Sequence, residues 1–128
     1  MTCYWNSIQS RLIKEDYTLL GMDTIPNCEQ LISLLKEKNK PIETLWNGTA
    51  LTNKEKDEHY EAIKCYKIKG IYNGHLTSIC DSFLLLICDL LNVKIEHTFL
   101  NNTMLYSCKG IARRTLRFKS NRIHFECA

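Results

Sequence analysis

The run SICDSFLLLICDLLN, residues 78–92, constrains this chain more than any other segment. Wound as a helix it is apolar around nearly its whole circumference, so every side of it needs cover from water. Asp81 and Asp89 flank or interrupt the apolar stretch, which is also too short to cross a bilayer. It therefore reads as a central core helix that the remaining chain must surround. A length of 128 residues suits one domain, 1–128, large enough to bury a core without staples. The apolar share of 45% and charged share of 24% are globular values and exclude wholesale disorder. A net charge of +3 permits an acidic partner surface without calling for nucleic acid.

Around that helix the periodicity changes along the chain. Trp5, Ile8 and Leu12 share one face of a helix running from Cys3 to about Lys14. DYTLLGMDTIP reads as a turn-rich connection. NCEQLISLLKEK starts a second helix, with Asn27 and Gln30 at capping-box spacing. PIETLWNGTAL is short and carries an Asn47-Gly48 turn signal. TNKEKDEHYEAIKCYKIKG reads as a solvated helix capped at Thr52 and stopped near Gly70, and Ser78 and Asp81 stand at capping spacing ahead of the core helix. Beyond Asn92 the period becomes two: VKIEHTF, TMLYS, RTLRFKS and RIHFEC read as strands. Helices first and strands last imply an α+β fold, with helices packed on a small mixed β-sheet.

Seven cysteines, Cys3, Cys28, Cys65, Cys80, Cys88, Cys108 and Cys127, are odd in number and widely spread. The first residues lack the basic stretch and apolar run of a secretory signal, so reduced thiols and a cytoplasmic location are expected. No pair has CxxC spacing and no metal is expected. Cys3 stands where a loop gives way to a helix, a position whose partial positive charge favours thiolate. A thiol nucleophile needs a base, and the base needs an orienting group. His124 lies in the last strand, and Glu126 two residues on shares its face. His59, in the charged helix, and His97, in a strand, read as surface or structural residues. His75, in the IYNGHLTS loop, is the reserve base.

The two ends resemble the ovarian-tumour (OTU) family of cysteine proteases, most of which are deubiquitinases. CYWNSI supplies Cys3, two aromatic residues, a polar residue, a small residue and Ile8, in the family's order. IHFE supplies His124, Phe125 and Glu126 in place of the family's His, aromatic residue, then Asp or Asn. The block 72–99 is similar to the family's Gly-containing loop, apolar helix and core strand. The resemblance is weak between Asp16 and Gly70. Only Met1 and Thr2 precede Cys3 where members have Asp-Gly-Asn, and the small size is closer to compact viral members.

The resemblance implies an OTU-like, papain-type cysteine protease fold. It also implies an isopeptidase with Cys3 as nucleophile, His124 as base and Glu126 as orienter. Gly74 and His75 would flank the channel for the modifier's glycine tail. The implied partner is ubiquitin or a ubiquitin-like protein, met by a monomer in the cytoplasm, with no cofactor. Two other readings stay open. One is a ubiquitin-binding module that has lost hydrolysis; the other is nucleic-acid binding through RRTLRFKSNR, where basic and aromatic residues interleave.

Overall fold

A computed structural model describes residues 3–68, 81–121 and 124–128, apart from the side chain of Cys3. The core helix, α5 (Ser82–Leu91), buries Phe83 through Cys88 and Leu91. It begins later than the capping pattern suggests. Asp81 is itself the N-cap, its carboxylate accepting the Leu84 N–H at 3.0 Å, while Ser78 lies outside the described residues. Asn92, left-handed at φ 55°, ends the helix.

The cover comes from both sides, as an all-round apolar helix requires. Helices α2 (Lys14–Leu19), α3 (Cys28–Glu37) and α4 (Asn53–Lys64) contact α5, and so do strands β3 (Lys94–Phe99) and β4 (Asn102–Ser107). Helix α3 has the anticipated reciprocal cap between Asn27 and Gln30. Thr52 and Glu55 cap α4 in the same way, but α4 ends at Lys64, short of Gly70.

Two segments depart from the sequence reading. Helix α1 (Cys3–Arg11) stops before Lys14, and the supposed turn-rich connection opens with α2. The reason is tertiary. Asp16 accepts the Ile13 N–H at 2.8 Å, which fixes the start of α2. Its fully buried carboxylate also receives both Nη atoms of Arg113 at 3.0 Å and an Nη of Arg114. Neither arginine is near Asp16 in sequence, so no local pattern reports the pairing.

The second departure is a hairpin between α3 and α4, β1 (Leu45–Trp46) and β2 (Thr49–Ala50). Its turn residues Asn47 and Gly48 have φ of 50° and 81°, the conformation that two-residue hairpin turns require. Strands are thus not confined to the second half of the chain. With β5 (Thr115–Ser120) and β6 (Phe125–Cys127) they form one six-stranded sheet, in the order β2-β1-β4-β3-β5-β6. Among the described residues only the β3–β5 pairing is parallel, so the sheet is mixed and the fold is α+β.

One face of this sheet meets the helices. Ile95, His97, Met104, Tyr106, Leu116, Phe118 and Phe125 point into the core. Their neighbours Lys94, Glu96, Thr98, Arg117, Lys119 and Glu126 alternate with them on the open face. Strand β6 is one edge of the sheet, and α1 lies against it.

Removing Asp16 leaves two guanidinium groups without their shared carboxylate in a buried setting. Asp16→Ala is expected to lower unfolding free energy by about 3–5 kcal/mol, the range for breaking a buried ion pair. Urea denaturation followed by circular dichroism measures this; a loss under about 1 kcal/mol would contradict the anchoring role.

Candidate functional site

Contacts between α1 and β6 join the two ends of the chain. The Tyr4 and Phe125 rings lie 4.8 Å apart between centroids. Ser7 Oγ donates to the Phe125 carbonyl at 3.2 Å, Ser10 Oγ lies 3.0 Å from Cys127 Sγ, and Arg11 donates to the Ala128 carbonyl at 2.8 Å. Residue numbers rise together along both elements, so they run in the same direction. Cys3, the first residue of α1, therefore belongs to the end of the molecule where β6 begins.

His124 stands at that end, immediately before β6. Asn121 holds its backbone: Asn121 Oδ1 accepts the His124 N–H, and the His124 carbonyl accepts the Asn121 N–H, each at 2.8 Å. Its ring is exposed. It lines a shallow cavity of about 310 Å³ with Thr98, Lys119, Asn121 and Glu126 on the sheet's open face. Glu126 shares that face, as period two requires, and its Oε1 is 3.5 Å from Lys119 Nζ. Phe125, between them, is the residue that points to α1. Within the described residues, then, the backbones of α1 and β6 come together while His124 and Glu126 face away from the helix. The Cys3 side chain, Gly74 and His75 lie outside the described residues.

The two other described histidines, read from the sequence as surface or structural, both make side-chain contacts with distant elements. His97 is fully buried on the core face, its Nε2 2.6 Å from Ser120 Oγ and its ring 5.2 Å from that of Phe125. Its alternation with Ile95 was the available signal. His59 is half-buried and its Nδ1 is 2.7 Å from Ser82 Oγ, a pairing across 23 residues that no spacing rule reveals. Burial pulls the His59 imidazole below its ordinary range, opposed by the nearby carboxylates of Asp81, Glu55 and Glu58.

The five described cysteines, Cys28, Cys65, Cys88, Cys108 and Cys127, are free thiols. Burial raises the pKa of Cys28 and Cys108. Cys28 also donates to Gln9 Oε1 at 2.9 Å. Among the described residues no group of three or more His, Cys, Asp or Glu is arranged to hold a metal ion. No helix among them is long and apolar enough to cross a membrane.

No protein-family model, curated protein or solved structure matches this chain.

Thiol reactivity offers a direct check of this geometry. In a pulse of iodoacetamide at neutral pH, exposed Cys65 is expected to react first among the five described thiols, with Cys28 slower. Buried Cys88 and Cys108 should react only on unfolding. Peptide mapping reads the order, and labelling of Cys88 as fast as Cys65 would contradict the packing of α5.

Proposed function

We propose that this domain is a thiol-dependent isopeptidase of the ovarian-tumour type, acting on ubiquitin or a ubiquitin-like modifier. The observation that supports this reading is the parallel docking of α1 on β6, which puts residues 3 and 124 at one end of the fold. In the proposed mechanism the Cys3 thiolate, favoured by the α1 N-terminus, attacks the isopeptide carbonyl after the modifier's C-terminal glycines. His124 takes the thiol proton and returns it to the departing lysine amine. Water then hydrolyses the thioester, with His124 again accepting a proton. Glu126 orients the imidazole, and backbone amides near Cys3 stabilise the oxyanion. This chemistry requires the His124 ring, and the Glu126 carboxylate with it, to turn around the edge strand, away from the open face.

The outward placement of His124 and Glu126 favours a second reading: a module that holds ubiquitin without cutting it. Nucleic-acid binding draws less support. In the segment RRTLRFKSNR, Arg113 and Arg114 are bound to Asp16, Arg117 lies 3.3 Å from Glu96, and Lys119 lies 3.5 Å from Glu126. Most of that positive charge is neutralised within the domain.

Variant kinetics on di-ubiquitin separate the two main readings. Cys3→Ala is expected to abolish cleavage while leaving ubiquitin affinity nearly intact, and His124→Ala to be almost as severe. Glu126→Ala should lose on the order of ten- to a thousand-fold, since it touches no reacting bond. Binding by the unmutated protein without cleavage of any chain type would favour the binding module. Neither binding nor cleavage would remove ubiquitin as the substrate.

A further inference from the structure

A second constellation of reactive side chains lies where α4 meets the start of α5. Ser82, the first residue of α5, has its Oγ 2.7 Å from Nδ1 of His59 on α4. With the ring proton on Nε2, the hydroxyl donates to Nδ1, which is the arrangement of a nucleophile and its base. Both residues are partly exposed. Next to Ser82, the Asp81 carboxylate is held by the Tyr4 hydroxyl at 2.6 Å and by the Leu84 N–H at 3.0 Å.

We propose that Ser82 and His59 form a second reactive site, a serine nucleophile and its base that hydrolyse small carboxylic esters. Three features around the pair suit that chemistry. The carboxylates of Asp81, Glu55 and Glu58 favour the imidazolium that forms when His59 takes the serine proton. Burial holds the resting ring below its ordinary range, so it is neutral and able to accept a proton at neutral pH. The first amides of α5 have no intrahelical acceptors, so the start of the helix supplies donors for an oxyanion formed at Ser82. An aromatic cluster follows directly: Phe83 lies 4.9 Å from both Trp5 and Tyr66, between ring centroids. Tyr66, half-exposed, is the member of this cluster that reaches solvent.

The step balances without a cofactor. The Ser82 oxygen bonds to the ester carbon as its proton passes to His59 Nδ1. The ester C–O bond then breaks and the alcohol leaves with that proton. Water attacks the acyl-serine, gives a proton to Nδ1, and releases the carboxylic acid as Ser82 regains its hydrogen.

The test uses the full chain carrying Cys3→Ala, so that no product can come from that thiol and the outcome is independent of the isopeptidase proposal. The probes are a fluorophosphonate, with mass mapping of the adduct, and p-nitrophenyl acetate. The expected result is one phosphonyl adduct on Ser82, lost in Ser82→Ala and slowed about 100-fold in His59→Gln. The rate should rise with pH through a midpoint below the ordinary histidine value of 6.5, because burial depresses that pKa. A folded protein unlabelled at Ser82, or His59→Gln labelled at the unsubstituted rate, would overturn the proposal. Should His59→Gln fail to fold, labelling of the Cys3→Ala protein that does not change between about pH 5 and 8 would overturn it equally.

Discussion

The docking of α1 on the edge strand β6 is the interaction on which the functional reading depends. It closes a loop of nearly the whole chain, through the Tyr4–Phe125 ring contact and the hydrogen bonds from Ser7 to Phe125 and from Arg11 to Ala128. An aromatic pair of this kind contributes about 0.5–1.5 kcal/mol beyond its buried area, and each hydrogen bond about 1 kcal/mol. Those sums are small against the entropy of ordering two chain ends. The docking therefore relies on the core beneath it, where Phe125 also packs on Phe118 and His97.

The same end carries a polar network that links three elements. Tyr4 of α1 donates to Asp81, Asp81 caps α5, and the Tyr106 hydroxyl of β4 accepts the Asp81 N–H at 3.0 Å. Burial and the adjacent Asp81 carboxylate push the Tyr4 hydroxyl well above its ordinary range, so it stays a donor throughout the physiological range. Helix α1 is thereby tied to α5 on one side and β6 on the other. The proposed thiol chemistry and the Ser82–His59 pair share this frame, although they use different nucleophiles and different bases.

Much of the architecture was legible in the sequence because it follows local rules. The all-round apolar pattern of α5, the caps at Asn27 and Thr52, and the period-two strands β3 to β6 each state their own structure. What was not legible depends on partners distant in sequence. Asp16 looks like a surface carboxylate until Arg113 and Arg114 arrive from the other end of the chain. Strands β1 and β2 have two residues each, too few for periodicity, and only the Asn47-Gly48 turn hinted at them. At the candidate site, spacing correctly put His124 and Glu126 on one face. It could not say which face, because that depends on Phe125 taking the core side.

The central claim is that Cys3 is a nucleophile directed at the C-terminus of ubiquitin or a relative. Its most direct test is incubation of the unmutated chain with ubiquitin bearing a C-terminal propargylamide, followed by intact mass and peptide mapping. The account predicts a single covalent adduct whose ubiquitin is attached at Cys3. A folded protein that leaves saturating probe unreacted, or an adduct at exposed Cys65 instead, would contradict it.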